Sequence, residues 1–428
     1  MIMVALLAIT QADYIESLPP ADRPYTFLID VRYVPDEHRE QHVKALQFTL
    51  ASASRQRVIE YCTAQPTGIP GLMAVDIRNL LWDGNEVTQV FQRYPYGRKV
   101  LSKRHNVIAV PRAWRADWLI LELWDTTRSD ARYRLLYGDA DINRDQWLEF
   151  HGQQKADKEF AIGFIEGNSG VTVSRKRVLI SDERRDNVWT TLDFLEVDGK
   201  GDPLEQPGNV IDWQAKPIHD GSEHIAALYK HSIKTGERGV LQDYFLSNAK
   251  GERVEAGPAA LVQDRTRAFR GLSEIRLGAC VTCHGGGLNF PTSDEWRLFR
   301  GSRYVTQAAK VKLGAFFAPV ARKMETHNVD FEAGVKLVNG LSGEQNAKQF
   351  AAVVAWYDAD VTPEQAAREL GIPAEELGLA IAYSAKQGID VGARLSHLAE
   401  GGDIPRSSWE SNFTLILEVI EQWQSSKR

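Results

Sequence analysis

Three cysteines in 428 residues, Cys62, Cys280 and Cys283, cannot build a disulfide framework. A chain of this length must therefore be held together by packed cores. At roughly 150 residues per domain it has room for two or three. The composition suits this: 43% of residues are apolar and 25% charged, as in ordinary globular proteins. That excludes a disordered chain, a collagen-like repeat and a disulfide-dense miniprotein. The aromatic supply of 11 Trp, 13 Tyr and 16 Phe is enough for bulky cores or the walls of a pocket. A formal net charge of −6 gives no dominant field for neutralising phosphates, which argues against a dedicated nucleic-acid binder.

Residues 25–34 read as a strand, with β-branched and aromatic residues in alternation. Pro35-Asp36-Glu37 then opens a helix. A second strand over 72–81 and a helical stretch to Tyr94 complete a β-α-β-α order. Residues 111–158 look mainly helical, and strand signals return at 161–164, 171–180, 188–197 and 239–246. From about Leu261 the pattern is helical, with segments at 264–278, 294–311, 345–358, 362–370, 374–387 and 406–425. The expected class is α+β. The expected divisions are a possible truncated export signal over 1–12, an α/β layer over 13–110, a mixed region over 111–262, a helical heme segment over 263–330 and a helical domain over 331–428.

The pentapeptide Cys280-Val281-Thr282-Cys283-His284 is the attachment pattern of c-type heme. Two residues between the thiols let one helical turn match the two vinyl groups, each of which forms a thioether. The adjoining His284 reaches the iron from the proximal face. Gly285 and Gly286 follow, and residues without Cβ let backbone pass close to a flat ligand. Three rival readings stand beside this one. A structural zinc site needs a second ligand pair, and Cys62 is far upstream. A redox dithiol belongs after a strand in a β-α-β unit, whereas helical sequence surrounds this motif. A pair of plain buried thiols leaves the adjacent histidine and glycines unexplained.

At those five residues the chain resembles c-type cytochromes. More widely it resembles exported bacterial cytochrome c domain-containing proteins. The segments that carry this are Tyr94-Pro95-Tyr96-Gly97, Arg115-Ala116-Asp117-Trp118, Gly163-Phe164 with Ser169-Gly170-Val171, Gly271-Leu272-Ser273, and Ile404-Pro405-Arg406 with Trp409-Glu410. They are spread over residues 25–412, and their order along the chain carries the likeness. In one place the chain departs: Cys280 lies seven positions after Ser273, where the family pattern runs the serine directly into the first cysteine. The resemblance implies one covalent heme c and an exported, periplasmic location. It supplies no activity.

The second face of the iron takes Met, His or nothing, and that choice sets the chemistry. Met324 follows His284 by 40 positions, a separation typical of small cytochrome c domains by resemblance. Its setting, Arg322-Lys323-Met324-Glu325, is polar, so a helix-surface methionine is the competing reading. His327 is the rival ligand on the same helical face. His219, His224 and His231 form an upstream group. Seven positions apart, His224 and His231 would share one side of a helix; surface histidines are the plainer reading.

Two patterns are decoys. Asp139-Ala140-Asp141-Ile142-Asn143-Arg144-Asp145 looks like a calcium loop, but Arg144 stands where the turn needs Gly and Phe150 where Glu should be. A capped helix start is expected instead. Residues 362–379 look like a helix-turn-helix, yet their acidic residues favour a packing hairpin. The run Met1–Ile9 is too short to cross a bilayer and lacks a basic start. No other stretch suits a transmembrane segment. The sequence thus predicts electron transfer through one c-type heme to an unidentified redox partner protein. The alternatives are a heme enzyme or gas sensor with a displaceable sixth position, and a zinc-stabilised interaction module.

Overall fold

The computed structural model describes residues 13–96, 113–125, 130–152, 159–164, 176–182, 188–194, 221–248, 250–257, 263–264, 267–288, 307–388 and 392–427. The class is α+β. The elements in order are β1 (Thr26–Asp30), α1 (Asp36–Ser52), β2 (Gln65–Pro66), β3 (Leu72–Asp76), α2 (Gly84–Phe91), β4 (Ala113–Arg115), α3 (Ala116–Trp124), α4 (Asp130–Tyr137) and α5 (Arg144–Phe150). There follow β5 (Glu159–Phe164), β6 (Lys176–Asp182), β7 (Val188–Phe194), β8 (Gly221–His231) and β9 (Arg238–Asn248). The remainder is helical: α6 (Leu277–Cys283), α7 (Gln307–Asn339), α8 (Gly343–Asp358), α9 (Pro363–Leu370), α10 (Ala374–Lys386), α11 (Gly392–Ala399) and α12 (Arg406–Ser426). Among the described residues no helix is long and apolar enough to cross a membrane.

The chain divides into two compact units. One comprises Met1–Leu46, Ala64–Ile120 and Ala352–Arg428; the other comprises Gln47–Thr63 and Leu121–Ala351. In the first, the sheet order is β2-β3-β1-β4, with β1 antiparallel to β3 and parallel to β4. Phe27, Phe91 and Trp114 stack in its core.

Tyr96, Arg115 with Asp117, and Arg406 with Trp409, distant in sequence, meet inside this first unit. The buried Arg115 guanidinium pairs with Asp117 at 2.7 Å and with Glu369. It also lies 4.0 Å from the Tyr33 ring and 4.4 Å from the Tyr96 ring. Arg406 grips the same Glu369 through two contacts of 2.8 and 2.9 Å, and the Trp409 indole donates to it at 2.6 Å. Burial raises the Asp117 carboxyl, but Arg115 outweighs it and holds Asp117 below its ordinary value. Buried charges of this kind require partners, and each carboxylate here has them.

The second unit is built on an antiparallel sheet in the order β5-β6-β7-β8-β9. Side chains alternate across β9. Asp243 and Phe245 face α4 and α5. Gln242 and Tyr244 face α7 and the residues after α6. Helix α7 crosses β9 closely, because a Cβ at Gly239 would stand 2.2 Å from the Gly334 nitrogen and one at Gly334 2.0 Å from the Val240 carbonyl oxygen. Glycine at both positions permits the crossing.

The structure corrects several expectations. Helix α6 occupies only the end of the expected 264–278 helix. The described residues before it are turns, including Arg267 at φ 50° and Arg270 at φ 56°. Asp125, fully buried, accepts from Arg270 and from Arg276 at 2.7 Å, which fixes this segment by long-range pairing instead of a local helix. Residues 221–231 form strand β8, so the spacing of His224 and His231 has no helical meaning. Ser222 through Ala227 are buried on both faces, and a strand covered on both sides shows no hydropathic alternation. His224 is a core residue between Thr190 Oγ1 at 2.9 Å and Ser247 Oγ at 3.0 Å, not a surface histidine.

The strands expected over 25–34 and 72–81 end at Asp30 and Asp76, each followed by turns, while two capped helices form as expected. Asn143 caps α5 in a reciprocal capping box with Gln146. Thr362 caps α9, which ends on Gly371 in the left-handed conformation, giving the expected packing hairpin. The export-signal reading of 1–12, His219, the strand signal over 171–175 and residues 294–306 lie outside the described residues.

Candidate functional site

The motif occupies a single turn. Leu277, Gly278, Ala279, Cys280 and Val281 are buried on α6, and His284 closes the helix. Cys280 and Cys283, three positions apart, share one helical face. The Cys280 thiol is buried and donates to the Arg276 carbonyl at 3.7 Å, whereas Cys283 is exposed.

Behind the helix the chain turns tightly. The Gly287 N–H donates to the His284 carbonyl at 2.8 Å, with Gly287 at φ 97°. The imidazole uses the same turn: His284 Nδ1 lies 3.1 Å from the Gly287 carbonyl, which can only accept. Nδ1 is thus the protonated nitrogen and Nε2 the one left for other chemistry. Nε2 lies 3.4 Å from Glu223 Oε1. Opposite this carboxylate, Nε2 can hold a proton and form an ion pair, or offer its lone pair to a metal ion.

The turn is pinned to α7. The Asn328 side chain accepts from the Leu288 N–H at 2.6 Å and donates to the Leu288 carbonyl at 2.9 Å. A Cβ on Gly287 would lie 2.4 Å from Asn328 Oδ1. At Gly285 an added Cβ would lie 2.6 Å from the Ala347 Cβ, so packing against α8 already requires this glycine. At Gly286 the nearest atom to such a Cβ is Glu344 Oε1, at 3.9 Å.

Next to α6 the sheet supplies a polar chain that the sequence reading missed. The Tyr244 ring stacks on His284 with centroids 5.9 Å apart. Its hydroxyl donates to Gln242 Oε1 at 2.7 Å, and the Gln242 amide nitrogen lies 3.1 Å from His327 Nε2. The Trp189 ring stands edge-on to His327 at 6.3 Å. Burial, and secondarily the charge on His284, lowers His327 to about 4, so this imidazole is neutral. Burial together with Cys280, Glu223 and Cys283 raises the Tyr244 phenol well above its ordinary range. Only alternation along β9 hinted that Gln242 and Tyr244 share a face.

Met324 is 4% exposed and His327 5%. The surface reading of Met324 is therefore corrected: its charged sequence neighbours occupy the other sides of α7. Cys62 is buried in another part of the same unit, and burial raises its thiol pKa. Among the described residues no group of three or more His, Cys, Asp or Glu could hold a metal ion by itself.

Together these features define an α+β protein with a thiol-thiol-imidazole turn packed on an antiparallel sheet. No protein-family model matches the chain, and neither a curated protein nor a solved structure matches it.

Proposed function

We propose that this protein is an exported, single-heme c-type cytochrome that carries electrons to and from a partner protein. The observation that carries this reading is the turn Cys280–Gly287. Two thiols share one helical face, and the adjoining His284 has its Nδ1 bound to the Gly287 carbonyl, leaving Nε2 as the ligand nitrogen. Metal-bound histidines commonly donate their other nitrogen to a backbone carbonyl in this way. The Glu223 carboxylate, 3.4 Å from Nε2, is an anionic neighbour that favours positive charge at that position.

When bound, a c-type heme supplies a one-electron couple at iron. The chain's own residues have distinct tasks. Cys280 and Cys283 would anchor the group, and His284 would ligate it. The pinned contact between Asn328 and Leu288 holds the proximal turn in place. The buried Leu277, Val281 and Leu288 keep water away from the turn. Met324 and His327, both buried on one turn of α7, would be the residues of that helix able to bind the iron. Thioether formation takes place outside the cytoplasm, so the chain works after export to the periplasm.

The test is expression with a cytochrome c maturation system and periplasmic routing. The protein is expected to keep its heme through denaturing, acidified extraction, and the Cys280→Ala, Cys283→Ala double variant to lose it. Heme extracted from the wild type, or stoichiometric zinc in its place, overturns the reading.

A further inference from the structure

We infer that His42 is an acid-sensitive latch between the parts of α1 and α8 that belong to the first unit. Neutral, it keeps the two helices closed on Trp356; protonated, it lets that contact open while the core of the unit stays folded. The inference is independent of the heme reading.

His38 and His42, four positions apart, share one face of α1. Both rings pack on Trp356 of α8, His38 with centroids 5.5 Å apart and His42 edge-on at 6.1 Å. His38 is exposed, whereas His42 is only 1% exposed. The His42 Nδ1 lies 2.9 Å from the His38 carbonyl, which can only accept, so Nδ1 carries the proton of the neutral ring. Nε2 is buried and has no hydrogen-bond partner among the described residues. A bare lone pair tolerates such a place. A charged N–H does not, because a buried cation needs an acceptor. The Trp356 indole nitrogen is also buried without a partner, but it is only a donor and offers nothing to a second N–H.

The charges around the ring do not supply the acceptor. Burial is the largest influence and holds His42 below its ordinary value, against the pull of Asp117 from α3. Arg115 from β4 and His38 from α1 oppose a proton as well. The Asp117 oxygens already accept from Tyr33, Arg115 and the Trp118 N–H. From α8 comes the Trp356 ring, at the outer limit of about 6 Å for cation–π attraction. The sign follows. An opened imidazole takes up its proton at about pH 6.5, and the closed one only at lower pH. Closure therefore weakens as the pH falls below about 6.5. The opening stays local because none of the bonds that hold Asp117 comes from His42, so the pairing of Arg115 with Asp117 and Glu369 survives it.

The test is amide hydrogen exchange on the full chain between about pH 7.5 and about pH 5, corrected for the intrinsic pH dependence of exchange. Peptides over 36–46 and 352–358 are expected to lose protection by up to about tenfold per pH unit below 6.5. Peptides over 116–120 and 406–426 are expected to keep theirs. His42→Leu is expected to remove the acid response, and His38→Gln to retain it. Protection lost equally in every peptide of the unit, or not lost at all, overturns the inference. So does an acid response that survives in His42→Leu or vanishes in His38→Gln. Should His42→Leu fail to fold, the wild-type profile and His38→Gln still decide the matter.

Discussion

Asp243 and Tyr244 are consecutive residues of β9 that serve opposite faces of one sheet. Asp243 accepts from Arg132 at 2.8 Å and from the Trp147 indole at 2.9 Å, and Tyr244 stacks on His284 at 5.9 Å. The strand that packs against His284 and His327 is therefore held from behind by a buried carboxylate.

Asp243→Asn is expected to lower unfolding free energy by about 3–5 kcal/mol, because Arg132 is left buried without its counter-charge. Burial raises the Asp243 carboxyl, but Arg132, His151 and Tyr137 outweigh it and hold it far below the ordinary carboxylate range. The folded state thus binds its proton later than the unfolded chain does. The stabilisation is complete above about pH 4 and declines as the pH falls further. Denaturant titrations in acid are expected to converge for wild type and variant.

Lys230 gives a rise of stability with pH again, this time in the alkaline range, because its charged form is the one that burial disfavours. Its ammonium donates to the Ser54 and Gln56 carbonyls, yet burial pushes its pKa down to about 8; Arg132 and Arg57 push the same way, and Cys62 opposes them. Between pH 8 and about 10.4 the unfolded chain keeps a proton that the folded chain has released. Stability relative to Lys230→Met is then expected to rise by about 3 kcal/mol across that window. A flat difference between the two denaturation series would count against a buried, shifted lysine.

The crossing of α7 over β9 tolerates no side chain. Gly239→Ala places a methyl 2.2 Å from the Gly334 nitrogen, an overpacking expected to cost about 1–3 kcal/mol or more. In Gly84→Ala the nearest neighbour is the Ile77 Cδ1 at 3.9 Å, so that variant serves as the neutral control. Comparing their urea midpoints checks the contact.

In the first unit, Glu369→Gln removes the shared counter-ion of Arg115 and Arg406. A loss of about 3–5 kcal/mol is expected, read as a fall in thermal midpoint. Thioether-bound heme in whatever folds is expected to be unaffected, since Cys280, Cys283 and His284 belong to the other unit.

A carrier keeps both axial positions filled. The reduced wild type is accordingly expected to ignore carbon monoxide at neutral pH in stopped-flow mixing. Rapid binding would favour the enzyme or gas-sensor reading instead.

Much of this protein is written in short-range signals. The thiol spacing of Cys280 and Cys283 and the adjacent His284 are local. So are the caps at Asn143 and Thr362 and the apolar periodicity of α8 to α10 and α12, because each depends on residues within one or two turns. The tertiary structure alone decided the rest. His327 finds Gln242 across 85 positions and Arg276 finds Asp125 across 151, pairings imposed by the need of buried polar groups for partners and not by any local propensity. Strand β8 was hidden because both its faces are covered. The two discontinuous units were hidden because the chain leaves each and returns, a path no sequence window contains.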